Sequence, residues 1–171
     1  MKQAVIIKPY DSKLPEYFER ERRFLIENLG KEFEINHVGS SAVPGLGGKN
    51  FVDIQLLAPN KRVANKTVKE LESIGYIHDK DAGDEYRIFF SRDHLYGKKV
   101  HIHLHLMWKT SNKYKDYLMF RDYLRKHKEE AKRYYSLKKI WAKKAGSVGK
   151  KFTEMKTGYV KEVLKKAKKE T

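Results

Sequence analysis

Asp53 stands inside an otherwise apolar segment, Phe51-Val52-Asp53-Ile54-Gln55-Leu56-Leu57, and no other feature limits the fold as tightly. A run of this length and composition reads as a strand. Alternation puts Asp53 and Gln55 on one face and Val52, Ile54 and Leu56 on the other. A carboxylate on such a strand is costly unless it meets a cation or hydrogen-bond donors, so the fold has to bring these to it. Upstream, Phe33-Glu34-Ile35-Asn36-His37-Val38 alternates apolar and polar residues, as a half-buried strand does. It runs directly into Gly39-Ser40, where glycine lets the backbone approach a ligand and serine offers a hydroxyl and an amide to phosphate. A magnesium ion carrying a nucleotide phosphate is a natural partner for a carboxylate placed opposite that bend.

Other segments supply the frame. Residues 4–7 are a short apolar run stopped by Pro9 and read as a strand. Asp11-Ser12 offers a helix start, with Pro15 in the first turn and Gly30 as a stop. Residues 61–74 read as a helix, and 86–90 and 99–107 as two strands with Gly97 in the turn between them. From Ser111 onward the periodicity is helical throughout, with apolar stripes at Tyr117, Phe120 and Leu124, at Tyr134, Leu137 and Trp141, and from Phe152 to Ala167. The expected class is α/β (α+β): a mixed sheet flanked by helices, followed by a basic helical region.

The length of 171 residues suits one domain, and 40% hydrophobic with 35% charged residues describes a folded chain. No apolar run reaches the roughly 18–20 residues of a membrane span. The stretch from Met1 to Pro9 is too short for a secretory signal. With no cysteine there is neither a disulfide framework nor a thiolate metal site, and the cytoplasm is the expected compartment. The net charge of +16 is unevenly placed: residues 109–171 hold 21 Lys or Arg against 7 Asp or Glu, whereas residues 1–108 hold 17 against 15. Two readings fit that excess: contact with RNA or another phosphate-rich partner, or a lysine-rich solvated face.

The stretch His37-Val38-Gly39-Ser40-Ser41-Ala42-Val43-Pro44-Gly45-Leu46, then Lys49, then Val52-Asp53-Ile54-Gln55, is similar to the central motif of the GrpB family. Pro9-Tyr10-Asp11, His103-Leu104-His105, Phe120 to Arg125, and Lys156 with Tyr159 resemble other parts of that family, so the likeness spans nearly the whole chain. It implies one domain over residues 1–171. Residues 1–108 would form a nucleotidyltransferase-like α/β core and 109–171 the C-terminal helices. Gly47-Gly48 and Asn50 depart from the family's Ala-Ala and Pro, and are expected to loosen the loop.

The resemblance implies a nucleotidyltransferase-like fold but no settled reaction; one reading is metal-dependent transfer of a nucleotidyl or phosphoryl group, with Asp53 as the catalytic metal ligand. The alternative is a catalytically degenerate module that binds a nucleotide or RNA. Gln55 favours the second reading, because it stands where active transferases carry a second carboxylate, and a neutral amide lacks the charge a second ion needs. The phosphate-binding candidates are Gly39, Ser40, Ser41, Lys49, Arg87 and Arg121. Arg87 and Arg121 also read as ordinary salt-bridge residues, and His37 reads as a hydrogen-bond partner of the loop. The metal-ligand candidates are Asp53, His103 and His105, for magnesium or manganese, or zinc given the imidazoles. The His-x-His-x-His spacing equally describes the polar face of an amphipathic strand. The expected partner is a nucleotide or another phosphate-bearing small molecule, with RNA on the C-terminal helices and no membrane contact.

Overall fold

The computed structural model describes residues 4–171; residues 1–3, which open the stretch read above as too short for a signal, lie outside the described residues. Helix α1 (Leu14–Leu29) begins with Pro15 in its first turn and ends at Gly30. Strands β1 (Glu34–Val38) and β2 (Val52–Ala58) follow, separated by the bend and a short 3-10 turn, Ser40–Ala42. Helix α2 (Lys61–Ser73) is capped by Asn60, whose side chain accepts from the Val63 amide at 3.0 Å. Strands β3 (Ile77–Asp84), β4 (Arg87–Leu95) and β5 (Lys99–Trp108) come next, then helices α3 (Tyr114–Lys126), α4 (Lys128–Ala145) and α5 (Gly149–Lys169).

The strands form one open mixed sheet in the order β1-β2-β5-β4-β3, with the β2–β5 pair parallel and the other pairs antiparallel. This is the mixed sheet flanked by helices that the sequence pattern calls for. Val52, Ile54, Leu56, Ile102, Leu104 and Leu106 are sealed against α1 and α2 in the main core. That face buries a carboxylate of its own: Glu21 of α1 accepts from Tyr76 at 2.5 Å and Arg92 at 3.2 Å, and from Tyr96. A second core joins Val43 and Leu46 of the loop to Phe120, Leu124, Tyr134, Tyr159 and Val163 of the three C-terminal helices. Among the described residues no helix is long and apolar enough to cross a membrane.

One expectation changes, and one strand lies where the sequence reading has none. Residues 4–7 are not a strand; only Lys8 pairs, as an isolated bridge to Gly48. The strand β3 was not visible in the sequence, because an edge strand exposed on both sides has no need of apolar alternation.

Candidate functional site

Strand register, and not the loop alone, places Asp53. Antiparallel pairing sets Val38 opposite Asp53, so the bend that follows Val38 falls directly over the carboxylate. Gly39 takes φ +68°, a conformation that side chains disfavour, and a Cβ there would lie 2.9 Å from Asp53 Oδ2. Parallel pairing sets His103 beside Asp53 and His105 beside Gln55. His103 Nδ1 and His105 Nε2 stand 3.6 and 3.8 Å from Asp53 Oδ1. Burial raises the Asp53 carboxyl, but the two imidazoles outweigh it and hold the group well below the usual carboxylate range, so Asp53 is ionised.

His105 is neutral. Burial pushes it down, Asp53 pulls it back and Arg87 opposes that pull. Arg87 Nη1 reaches His105 Nδ1 at 3.4 Å and donates to the Tyr117 hydroxyl at 3.0 Å. A guanidinium only donates, so Nδ1 is the acceptor and Nε2 carries the proton that faces Asp53. The remaining imidazole of the triplet turns elsewhere: His101 pairs with Asp93 at 2.5 Å.

The loop beneath Gly39 is tied down by hydrogen bonds. Ser41 was expected to face phosphate, but its hydroxyl is buried among His37 Nε2 (2.9 Å), the Val38 carbonyl (3.4 Å) and the Asp53 amide (3.1 Å), and so it joins the loop to β2. His37 serves the loop, as one sequence reading has it; its ring stacks on Phe18, and burial lowers its pKa to about 4, leaving it neutral. Arg121 donates to the His37 carbonyl at 3.1 Å and to Asp122 at 2.7 Å, so it ties α3 to the end of β1. Arg125, not singled out in the sequence, does the same for the Ala42 carbonyl at 2.7 Å. Gly47 and Gly48 tighten the loop where loosening was expected. A Cβ on Gly47 would fall 2.5 Å from the Lys8 carbonyl and 2.3 Å from the Tyr135 ring, so Gly47 admits the chain around Lys8, whereas one on Gly48 would lie 3.0 Å from Lys138 Nζ, so Gly48 admits that ammonium. Asn50 completes that seam by donating to the Pro9 carbonyl at 2.8 Å.

The C-terminal helices deliver what the strands lack. Lys138 of α4, only 3% exposed, donates to Ser40 Oγ at 2.8 Å and also to the Gly47 carbonyl. Burial first, then repulsion from Lys156 and Lys49, lowers its pKa to about 7. Lys49 lies between the Phe51 and Phe152 rings and is also pushed down, by burial and then by Lys156. Lys156 of α5 goes the other way, raised by the neighbouring Tyr134 and, against its own burial, by Asp53. The Tyr134 hydroxyl is buried nearby without a hydrogen-bond partner among the described residues. Lysines from the loop, α4 and α5 thus lie within electrostatic reach of Asp53, and one of them, Lys138, bonds Ser40. Lys138 and Tyr134 were missed in the sequence because nothing local separates them from the other residues of a lysine-rich helix. Elsewhere on α4 and α5 part of the basic charge is matched: Glu130 and Glu162 pair with Arg133 and Lys166.

The donor set does not fit two metal ions. Gln55 is fully buried, and its amide is committed to the Tyr114 carbonyl at 3.0 Å, with Asn36 donating to its oxygen at 3.2 Å. Among the described residues no group of three or more His, Cys, Asp or Glu is arranged to hold a metal ion by itself.

Fold and site together define an α+β protein whose open mixed sheet carries one ionised aspartate beside a loop and basic helices. The chain belongs to the GrpB protein family, which it matches over residues 4–166. It is 30% identical over 168 residues to UPF0157 protein BH1888 of Halalkalibacterium halodurans, covering 96% of this chain and 83% of that one. The crystal structure of conserved protein GrpB from Enterococcus faecalis superposes with a TM-score of 0.81 at 27% identity, covering 96% of this chain and 98% of that one. A lesser likeness, with a TM-score of 0.47 at 15% identity, is to the Cid1 poly(U) polymerase, over 69% of this chain and 39% of that one.

Proposed function

We propose that this chain binds the phosphate groups of a nucleotide or other phosphate-bearing small molecule between Ser40 and the lysines Lys49, Lys138 and Lys156. The nucleotidyltransferase-like fold would then serve as a binding module without the two-metal arrangement of active transferases. One observation carries the reading: the buried Lys138 ammonium lies 2.8 Å from Ser40 Oγ, next to the Gly39 bend that covers Asp53, with Lys49 and Lys156 within electrostatic reach of it. Like charges gathered out of water cost free energy that an incoming polyanion would recover. Lys138 and the unpartnered Tyr134 hydroxyl offer donors, and the amides of Ser40 and Ser41 open a 3-10 turn, where the first N–H groups have no partner within the turn. C-terminal helices that supply two of the lysines act as part of one domain with the sheet.

A second reading, metal-dependent nucleotidyl transfer, is favoured by the ionised Asp53 facing Gly39 and Ser40. There Asp53 with His103, or with His105 once its Nε2 gives up the proton, would hold one ion of the manganese or zinc kind, for which imidazole is a suitable donor, and the ion would add positive charge beside the phosphate. Calorimetric titration with ATP, adenosine and inorganic tripolyphosphate, with and without manganese, tests both readings. Binding of ATP and tripolyphosphate but not adenosine, independent of metal, is the expected result. No binding of any phosphate-bearing ligand defeats the proposal, and strict dependence on manganese moves the balance to the transferase.

A further inference from the structure

Beside the lysines, the same sheet face carries a row of aromatic rings. Phe51 precedes Asp53 by two residues and shares its side of the sheet, and its centroid lies 4.5 Å from His101 and 5.0 Å from His103. Phe89 of β4 is paired with His105 and sits 4.9 Å from the His103 ring and 5.3 Å from the His105 ring. Tyr117 of α3 continues the row at 5.4 Å from His105. Phe51, Phe89, His101, His103 and Tyr117 are all only partly buried. Such a gathering departs from both ordinary outcomes, since core rings are sealed and rings on a solvated sheet face are scattered.

The row is also joined to the charged end of the site. Lys49 Nζ lies 5.8 Å from the centre of the Phe51 ring, and the Arg87 guanidinium 5.8 Å from that of Phe89. Asp53 lies beside His103, so the rings and the lysines meet at one carboxylate. Aromatic surface running into a cationic pocket matches a ligand that is planar at one end and anionic at the other.

We propose that this row seats a nucleobase, so that the ligand of the lysine cleft is a nucleotide and not a bare polyphosphate or a phosphorylated sugar. The inference rests on the phosphate reading above. Stacking is indifferent to base identity because every base has a π-face, so purine and pyrimidine nucleotides are both accepted.

Titration of ATP, UTP and inorganic tripolyphosphate into the wild type and into Phe51→Ala, Phe51→Leu and Phe89→Leu variants separates the two claims. The leucine variants keep apolar volume while removing the π-face, and retained tripolyphosphate binding shows that each variant is folded. Expected is a loss of roughly ten-fold or more in affinity for both nucleotides, with tripolyphosphate affinity unchanged in Phe89→Leu and lowered far less than nucleotide affinity in the Phe51 variants, whose ring lies beside Lys49. Nucleotides that bind no better than tripolyphosphate to the wild type, or variants that weaken all three ligands alike, overturn the nucleobase seat and leave the phosphate site standing. A wild type that binds none of the three removes the phosphate site and this inference together.

Discussion

Replacing Lys138 by methionine should make the protein more stable at neutral pH while weakening its hold on polyanions. The ammonium is 3% exposed, and its pKa falls from 10.5 to about 7 on folding. At 1.36 kcal/mol per unit, holding it in the folded state costs roughly 5 kcal/mol at low pH and about 4 kcal/mol at pH 7. Between pH 7 and 10.5 the unfolded chain binds the proton and the folded chain does not, so wild-type stability rises with pH across that window. By pH 10 the cost has fallen to about 1 kcal/mol. Methionine removes this cost but forfeits the hydrogen bonds to Ser40 and Gly47, worth about 1–2 kcal/mol together. The variant should therefore be about 2–3 kcal/mol more stable at pH 7 and no more stable than wild type at pH 10. Urea denaturation of both proteins at the two pH values measures the difference, in which groups common to both cancel. A gap that does not change with pH, or a variant less stable at pH 7, would refute the picture of a charge confined among charges. Tripolyphosphate added at pH 7 should narrow the gap, because a ligand that binds the folded wild type stabilises it by mass action.

Other outcomes follow from the same geometry. Asp53→Asn removes the one negative charge among the lysines, so tripolyphosphate should bind several-fold more tightly; calorimetry showing weaker binding would contradict the cationic-cleft reading. Gly39→Ala combines a left-handed backbone with a Cβ 2.9 Å from Asp53 Oδ2, and should cost about 1–3 kcal/mol in chemical denaturation, with loss of ligand binding. Anion binding should tighten as pH falls from 8 to 6, by roughly ten-fold, because Lys138 with a pKa of about 7 must be charged to act as a partner; Lys138→Met should flatten that profile. Glu21→Gln leaves Arg92 facing a neutral group in the core, and a loss of about 3–5 kcal/mol is expected from the midpoint of urea unfolding.

The bend, the strand and their relation were legible in the chain because each is a local pattern. Gly39-Ser40 ends an alternating run, and Asp53 interrupts an apolar one. Once β1 and β2 pair as neighbours, alternation and register carry Asp53 to the bend. The parallel partner β5 brought His103 and His105 to the same carboxylate, as the period-2 spacing allowed. Local pattern did not separate the two serines: Ser41 sits beside Ser40 in sequence, yet the 3-10 turn sends its hydroxyl inward to His37 and the Asp53 amide. The glycine pair reads as slack in the sequence, yet Gly47 answers to the Lys8 backbone and the Tyr135 ring and Gly48 to the Lys138 ammonium.

What the sequence alone determined, then, was the sheet-forming half of the site, since strand periodicity and a forced turn act over a few residues. The electrostatic half was decided by tertiary structure. Lys138 lies 98 residues from the Ser40 it bonds, on a helix with many other lysines. Only packing of Phe120, Tyr134 and Tyr159 against Val43 and Leu46 turns that one ammonium inward and leaves the others in solvent. A charge gains its chemical character from what excludes water around it, and that enclosure exists only once the helices have closed over the loop.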